Sequence, residues 1–313
     1  MSAPRLLHVG GVVLDLVYRI EDLPPTGGER VASAATLCPG GAYHTLAAAT
    51  AQGLDACCAG GHGTGPFGDI VRAALARLGV PTLLPRSSGL DTGTCVVLVT
   101  ADGERTFVGH PGAEGELAVD ALAGVRARAE DAVVLSGYTA SFPGCHGALA
   151  AWLPTLDARA TLVFDPSPVV ASIPPDLLDR ILARTDWPSA NAREAAALVG
   201  REAPAGTLAG ALLERCPRAR GALVRDGADG CHLALRGARA RHLPGHAVRA
   251  IDTSGAGDVH VGTFVARLAA GDAPTEAARV ANAAAALSVT RPSGAPTPSA
   301  EEVRRFPNAP AEA

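Results

Sequence analysis

The segment best suited to chemistry is IDTSGAGDVHVGTFVARLAAG, which occupies residues 251–271. Apolar residues from Val261 onward recur at helical spacing, which predicts a helix. Gly255, Ala256 and Gly257 would lie at or just before its N-terminus, where small side chains leave the backbone N–H groups uncovered. Such amides favour an anion together with the helix dipole, and glycine lets a phosphate approach the backbone closely. The segment therefore predicts a phosphate-binding turn.

Asp258 follows this turn directly, in the first turn of the helix, where the dipole favours a carboxylate. Its oxygens could accept a proton from an attacking hydroxyl. An anion site beside a general base is what phosphoryl transfer to an alcohol requires. The same letters also fit an acidic helix start after a glycine-rich turn without a catalytic role, so the segment alone leaves both interpretations open.

The elements that must position this turn are indicated by short apolar runs. They lie at 6–10, 55–60, 132–137, 161–165 and 221–225, and alanine-rich segments separate them. Alternation of such runs with helical patterns favours an α/β fold, in which helices flank a mostly parallel central sheet.

Two regions depart from this alternation. Residues 12–37 contain two extended segments around the turn DLPPTGGE, while 94–99 and 105–109 flank ADGE as a hairpin. We expect a small antiparallel β lid, formed by approximately 12–37 and 94–109, over the carboxyl edge of the main sheet. Without repeats or a long linker, the chain 1–313 favours a single domain with this lid inserted in it. Exposed strand edges in the lid also predict a homodimer.

The composition excludes several competing chemistries. All 27 basic side chains among the 313 residues are arginine. A Walker A phosphate loop, a protein-kinase strand lysine and a Schiff base each need a lysine, so none of them can form. The net charge of -4 and the 4% share of aromatic residues disfavour a nucleic acid or an anionic membrane as partner. We expect a small-molecule substrate.

The cellular compartment is suggested by the cysteines and the N-terminus. The seven cysteines form an odd number without a CxxC spacing, which is typical of reduced packing residues. MSAPRLLHVGG leads into Asp15 too soon for a signal peptide, and no apolar run approaches the roughly 20 residues that span a bilayer. We expect a cytoplasmic protein.

The segment DTSGAGD (252–258) closely resembles the C-terminal signature of the ribokinase-like (PfkB) carbohydrate kinase family. Other parts of the chain match in order: PGGAYHTLAAATAQG (39–53) resembles the N-terminal Gly-Gly signature, GGHGTGPFGD the following strand-loop-helix, NAREA (191–195) the Asn-x-x-Glu motif, and ALSVTRPSGA (286–295) the C-terminal helix and loop. The resemblance implies a ribokinase-like, three-layer α/β/α fold. It also implies an ATP-dependent kinase that phosphorylates a hydroxyl of a small sugar, sugar derivative or nucleoside.

The resemblance implies roles for the residues of the turn. Asp258 would be the general base, and Gly255, Ala256 and Gly257 would stabilise negative charge on the transferred phosphoryl group. Both roles agree with the interpretation of the turn from its residues. ATP and Mg²⁺ are the implied cofactors.

Substrate-binding residues are implied nearer the N-terminus. Asp15 resembles the aspartate that hydrogen-bonds substrate hydroxyls, and a carboxylate suits a vicinal diol because it accepts two donors. Gly40 and Gly41 would bring the backbone against the substrate. The ordinary alternatives are a solvated acid at a strand end for Asp15 and a plain turn for the two glycines.

Cofactor-binding residues are implied in the second half of the chain. Asn191 and Glu194 resemble the pair that organises Mg²⁺ and phosphate through water, although Asn-x-x-Glu also fits a capping box that starts a helix. Less specific matches imply nucleotide binding by Arg225, Gly227, Asn282 and Gly294. Asp252 and the carbonyl of Ser254 match positions that hold a monovalent cation in many members, which leaves potassium open as a further cofactor.

The sequence departs from the family pattern at two histidines. His44 stands where the family has asparagine, and its different hydrogen-bonding geometry predicts a substrate of altered shape, unless the ring only packs on the helix face. His260 stands two residues after Asp258, where the family has phenylalanine, and we expect it to pack rather than react. Tyr138, at a strand end, and Arg105, in the hairpin, are further candidates for substrate contacts.

Two alternative functions compete with a kinase. Gly63, Gly65 and Gly68 spell GxGxxG between a strand and a helix, as in an NAD-dependent dehydrogenase, but Pro66 removes an amide where pyrophosphate would bind. A catalytically silent sugar- or nucleotide-binding protein would keep the fold without turnover. The intact turn with Asp258 argues against that second alternative.

Overall fold

The computed structural model of the protein describes residues 3–306. Within that range the strands are β1 (Arg5–Val9), β2 (Val12–Arg19), β3 (Ala34–Gly41), β4 (Asp55–Cys58), β5 (Thr94–Val99), β6 (Arg105–His110), β7 (Ala132–Ser136), β8 (Thr161–Asp165), β9 (Trp187–Asn191), β10 (Gly221–Arg225), β11 (Cys231–Leu235) and β12 (Arg241–Leu243). The α-helices are α1 (Ala42–Ala51), α2 (Pro66–Arg77), α3 (Gly137–Ser141), α4 (His146–Trp152), α5 (Pro175–Arg184), α6 (Ala192–Val199), α7 (Ala205–Arg215), α8 (Ala256–Ala269), α9 (Pro274–Ser288) and α10 (Ala300–Arg305). None of these helices is long and apolar enough to span a bilayer.

The main sheet has eight strands in the order β12-β11-β10-β9-β8-β7-β1-β4. The six strands from β10 to β4 are parallel to their neighbours, and β11 and β12 add an antiparallel edge. All five predicted runs are strands of this sheet, namely β1, β4, β7, β8 and β10. The mostly parallel α/β arrangement is therefore confirmed.

Helices cover both faces of this sheet because alternate side chains of its strands fill two cores. In β7, Val133 and Leu135 face one core, whereas Val134 faces the other. Helices α4, α5, α6 and α7 pack on the first core, and α1, α2, α8 and α9 pack on the second. The result is a three-layer α/β/α architecture.

A separate small sheet is formed by the order β3-β2-β5-β6. Its two outer pairs, β2 with β3 and β5 with β6, are antiparallel hairpin-like pairs. The central pair, β2 with β5, is parallel, because the main-sheet strand β4 and helix α2 intervene in the chain between them. The expected small sheet is present, with this parallel seam at its centre.

Helix α8, which begins at the predicted phosphate-binding turn, is anchored on two sides. Phe264 is fully buried and meets Trp187 of β9 edge to face, with ring centroids 5.2 Å apart. Burial of such a ring contributes roughly 1.5–3 kcal/mol. On the other side, a Cβ at Gly262 would overlap the Thr45 carbonyl of α1, so glycine permits a close crossing of α1 and α8. The turn is therefore held by rigid elements.

Candidate active site

The predicted phosphate-binding turn opens α8 without a side-chain cap. Gly255 is the N-cap residue in the left-handed region, at φ 70°, which favours glycine. The amide of Ala256 donates to the Thr253 carbonyl at 3.3 Å. Among the hydrogen bonds of residues 3–306, none is donated by the amides of Gly257 or Asp258. Two first-turn donors are thus available for an anion.

Asp258 lies beside these donors, partly buried, with its carboxylate oriented by Thr45. The Thr45 hydroxyl donates to Asp258 Oδ1 at 3.3 Å. Burial, followed by the negative charge of Asp165, raises the pKa of Asp258 to about 7, against the opposing effects of Arg225 and Thr45. A carboxyl group with that pKa can take a proton near neutral pH, as a general base must.

Two carboxylates, from the end of β8 and the first turn of α6, converge on Arg225, at the end of β10. Its Nη2 lies 3.3 Å from Asp165 Oδ2 and 3.4 Å from Glu194 Oε2. Its Nη1 donates to Ser189 Oγ at 2.8 Å. Burial and then Asp165 raise the pKa of Glu194, while Arg225 opposes that rise. The carboxyl edge of the parallel sheet therefore carries a charged cluster next to the turn.

Asn191 and Glu194 form the capping box that the sequence pattern allows. Glu194 N donates to Asn191 Oδ1 at 2.9 Å, and Asn191 N donates to Glu194 Oε2 at 2.8 Å. The box starts α6 and fixes the Glu194 carboxylate at the sheet edge. The capping interpretation is thus correct, and it leaves Glu194 Oε1 without a hydrogen bond within the described range.

The small sheet contributes Asp15, on β2. A Cβ at Gly40 would overlap the Asp15 carboxylate, so only glycine lets that carboxylate lie there. Gly41 begins α1 at φ 59°, and a Cβ there would lie 2.9 Å from the Gly11 carbonyl oxygen. Burial and then the charge of Asp252 raise the pKa of Asp15 to about 7. The Gly-Gly signature therefore makes room for a half-buried acid.

Asp252, at the start of the loop before α8, joins the small sheet to the main body. Its Oδ1 accepts from Arg105 Nη1 of β6 at 3.3 Å and from Ser254 N at 2.9 Å. Its Oδ2 accepts from the Ser293 hydroxyl. Burial alone would raise the pKa of Asp252, but the hydrogen bonds from Ser293 and Ser254, together with Arg105, hold it below its ordinary value.

His44 and Tyr138 both lie at this site. A Cβ at Gly255 would lie 2.6 Å from His44 Cγ, so the imidazole packs against the turn itself. Burial lowers the pKa of His44, which keeps the ring neutral near pH 7. Tyr138, at the start of α3, is 46% exposed, and burial of its hydroxyl followed by the charge of Asp258 raises its pKa to about 12. Both side chains can therefore offer neutral hydrogen-bonding groups.

The residues expected around the nucleotide base lie on different elements. Gly227 is exposed in the turn after β10, with φ 59°. Asn282 of α9 is buried and donates to the Leu243 and Pro244 carbonyls at 3.0 and 3.2 Å. Gly294, at φ 80°, packs instead beside the small sheet.

His260 behaves as a packing residue. It is buried, burial lowers its pKa to about 3, and its Nε2 lies 3.1 Å from Asn282 Oδ1. The neutral ring connects α8 to α9 through this contact.

The GxGxxG turn before α2 is filled by Asp91. Phe67 N and Gly68 N donate to its two carboxylate oxygens at 3.1 and 2.8 Å, and Gly63 N donates to Thr92 Oγ1 at 3.0 Å. A Cβ at Gly68 would overlap the Gly63 carbonyl. The glycines therefore serve close packing, and the amides that a dinucleotide pyrophosphate would need are occupied. The dehydrogenase alternative finds no support.

The site suits Mg²⁺ that is bound mainly by nucleotide phosphates. Asp165, at the end of β8, and Glu194, in the first turn of α6, offer hard carboxylate oxygens, but residues 3–306 contain no group of three His, Cys, Asp or Glu that could enclose a metal. Mg²⁺ usually keeps several waters and takes one or two carboxylates beside substrate phosphates. The residues present fit that mode of binding.

Three residues of the site were missed in the sequence: Thr45, Asp165 and Ser293. Asp165 carried a usable signal, since it is a carboxylate at the carboxyl end of a predicted parallel strand. Thr45 and Ser293 gave none, because their partners Asp258 and Asp252 are distant in the chain.

Known proteins resemble this chain along nearly its whole length. A profile described as pfkB family carbohydrate kinase matches residues 4–300. The chain belongs to the pfkB family of carbohydrate kinases. Among relatives, the uncharacterized sugar kinase YegV of Escherichia coli (strain K12) is 29% identical over 310 residues, covering 95% of this chain and 92% of that protein. The ATP-dependent ribose-1-phosphate kinase of Halopiger xanaduensis is 30% identical over 305 residues, covering 96% and 97%.

Solved structures agree with this pfkB family assignment. Ribokinase from Giardia lamblia superposes with a TM-score of 0.81 at 26% identity, covering 97% of this chain and 98% of that one. The predicted ribokinase-like fold, the family and the carbohydrate kinase class are therefore confirmed.

Proposed function

We propose that this pfkB kinase transfers the γ-phosphoryl group of ATP to a hydroxyl of a small sugar, sugar derivative or nucleoside, with Asp258 as general base. The observation that carries the proposal is the position of Asp258, whose pKa is raised to about 7, beside two first-turn amides that have no protein acceptor in the described chain. A base and an anion site at this spacing suit in-line transfer.

In the proposed reaction, the acceptor oxygen forms a bond to the γ-phosphorus while the bond from that phosphorus to the bridging oxygen of ADP breaks. Asp258 takes the hydroxyl proton as this happens, and Thr45 keeps the carboxylate in place. The amides of Gly257 and Asp258 bind the phosphoryl oxygens. Bound Mg²⁺, near Asp165 and Glu194, would neutralise phosphate charge.

The acceptor would lie against Asp15 and His44. Asp15 can accept hydrogen bonds from two adjacent hydroxyls, while neutral His44 offers one donor and one acceptor. Because Arg105 is paired with Asp252, the positive charge at this end of the site is already balanced. Tyr138 completes the set of hydrogen-bonding groups that we assign to substrate binding.

We propose that the small sheet acts as a lid over the acceptor. Arg105 of β6 reaches Asp252 in the main body, so the sheet already contacts the loop before α8. Both ends of the β5–β6 hairpin are held by the buried Glu114. Its carboxylate accepts from Gly93 N, just before β5, and from Gly112 N, just after β6, each at 2.9 Å. These contacts let the hairpin exclude water from the reaction.

We propose that Arg105, rather than potassium, is the cation that balances Asp252. A cavity of about 50 Å³ is lined by Asp252 and Ser254, whose oxygens could hold a monovalent cation, but the Arg105 guanidinium already balances Asp252. We expect similar turnover in potassium chloride and choline chloride at equal ionic strength. A strong dependence on potassium would show that Arg105 does not replace it.

A homodimer through the lid also stays a prediction, and an apolar row across the small sheet supports it. Leu16 stands between Leu37 and Val96 in register, and Val96 stands opposite Val108. Leu37 and Val108 are 57% and 62% exposed. Sedimentation should report a dimer for the wild type and a monomer for Val108→Glu.

The proposed activity is tested by a coupled assay that measures ADP release with neutral sugars, sugar 1-phosphates, sugar acids and nucleosides as acceptors. We expect at least one acceptor to give ADP and a phosphorylated product in equal amounts, and Asp258→Asn to give neither. Binding of an acceptor and ATP without product would instead identify a catalytically silent binding protein.

A further inference from the structure

We propose that Arg225 contacts the γ-phosphoryl group during transfer, as a fixed cation beside the amides of the catalytic turn. This goes beyond the nucleotide-binding role that its position at the end of β10 suggests, and it rests on the proposed phosphotransferase function. In a chain without lysine, the charge that a lysine supplies in other phosphate sites must come from another group.

The guanidinium of Arg225 is held in one orientation. Nη1 donates to the hydroxyl and the carbonyl of Ser189, at 2.8 and 3.3 Å. Nη2 is paired with Asp165, at the end of β8, and with Glu194, in the first turn of α6. Only 12% of the side chain is exposed. A planar cation fixed by partners on two strands and a helix loses little freedom when a phosphate binds, so it is prepared for that contact.

This guanidinium also lies against the catalytic turn. A Cβ at Gly257 would be 3.5 Å from Arg225 Nε and 3.6 Å from Nη2. The amide of Gly257 is one of the two donors without a protein acceptor in residues 3–306. A phosphoryl oxygen on that amide would therefore lie within reach of the guanidinium, and hydrogen bonds from a charged donor are about twice as strong as those between neutral groups.

The charges around Arg225 explain why a single cation must be kept there. Asp165, Glu194 and Asp258 all face it, and within the described residues Asp165 and Glu194 have no other basic partner. Without the guanidinium, three acids would face an incoming triphosphate across a short distance. Arg225 reduces that repulsion before Mg²⁺ arrives.

The first test compares ATP with ADP, and it needs no acceptor. Binding of magnesium-free ATP and of magnesium-free ADP is measured by calorimetry for the wild type, Arg225→Gln and Arg225→Lys. We expect Arg225→Gln to weaken ATP binding at least tenfold and ADP binding much less, because only ATP carries the γ-phosphoryl group. Equal weakening of both nucleotides would overturn the proposal and leave Arg225 as a general nucleotide contact.

The second test separates kcat from KM. Arg225→Gln should lower kcat by roughly 10²-fold, and Arg225→Lys should restore part of that loss. The matched control is Arg184→Gln, because Arg184 is 13% exposed and pairs with Asp186 at 2.9 Å away from the turn. That control should lower Tm and leave kcat unchanged.

Two further outcomes separate the inference about Arg225 from the proposed function. If Arg225→Gln does not fold, Arg225→Lys decides: unchanged kcat with a higher KM for ATP overturns the proposal, and a lower kcat supports it. If Asp258→Asn abolishes transfer while Arg225→Gln keeps full kcat, only the inference about Arg225 fails. Full activity of Asp258→Asn would instead defeat the proposed function.

Discussion

Two glycine-rich turns in this protein lead from the sheet into a helix, and they differ in what their amides bind. The turn before α2 has Gly65 as N-cap, and the turn before α8 has Gly255; neither has a side-chain cap of its own. In α2, the second and third helical amides, those of Phe67 and Gly68, donate to Asp91. In α8, the corresponding amides have no protein acceptor among residues 3–306.

The difference shows that a glycine-rich helix start is only potentially an anion site. Both turns expose amides at the positive end of a helix dipole. Near α2 the chain supplies its own anion: burial would raise the pKa of Asp91, but hydrogen bonds from Gly68, Thr92 and Phe67 hold it below its ordinary value. Near α8 the local carboxylate, Asp258, accepts instead from the Thr45 hydroxyl, which leaves it available for the role of base that we propose.

The largest expected effect comes from removing the base at the α8 turn. Asp258→Asn should lower kcat by about 10²–10⁴-fold, because proton removal from the acceptor hydroxyl loses its catalyst. Substrate and ATP binding, measured by calorimetry, should change little. A kcat near that of the wild type would mean that the two turns do not differ in catalytic function.

The pH dependence of the same turn should be the next largest effect. Since the pKa of Asp258 is raised to about 7, the base is protonated below that pH, and kcat/KM should fall about tenfold per pH unit. Asp15 has a similarly raised pKa, so its protonation should steepen the fall. Rate profiles from pH 5 to 9 test this in the wild type and in Asp15→Asn.

In Asp15→Asn the acid limb should remain, with unit slope, because only Asp258 then titrates. A profile that is flat from pH 5 to 8 in both proteins would contradict the assignment of Asp258 as base.

Removing the acid that occupies the turn before α2 should change the stability of the protein rather than its catalysis. Asp91→Ala removes the acceptor of the Phe67 and Gly68 amides, and we expect the free energy of unfolding to fall by about 1–3 kcal/mol. Urea denaturation measures this loss, and kcat should stay within about twofold. Asp22→Ala is the control, because Asp22 is exposed and forms a surface ion pair with Arg30.

The smallest effect should come from a dinucleotide. Because Asp91 occupies the amides of the α2 turn, millimolar NAD should leave Tm unchanged, whereas ADP should raise it. A rise in Tm with NAD, abolished by Gly68→Ala, would show that the α2 turn binds a dinucleotide after all.

Much of the fold could be predicted because its signals are local. The runs that became β1, β4, β7, β8 and β10 are apolar and short, and helices separate them. Strand β9 was not predicted, since WPSAN contains Pro188 and has no apolar periodicity. The parallel seam between β2 and β5 was not predicted either, because pairing between residues 80 apart in the chain leaves no local pattern.

The candidate site likewise combines motifs that are readable from neighbouring residues with contacts that depend on the tertiary structure. The turn, Asp258 and the capping box of Asn191 and Glu194 are readable because each lies within a few residues. The contact of Thr45 with Asp258 spans 213 residues and depends on how closely α1 and α8 cross. The pairing of Arg105 with Asp252 likewise depends on where the small sheet lies.

By itself, the sequence determined the alternation of strands and helices, the absence of lysine, and two glycine-rich turns able to hold an anion. The tertiary structure alone decided that one turn is filled by Asp91 and that the other is left open beside a carboxylate and an arginine. The physical reason is the distance along the chain over which each property is set. Backbone geometry is set by neighbouring residues, whereas the charge and the hydrogen-bond partner at a helix start come from segments that only folding brings together.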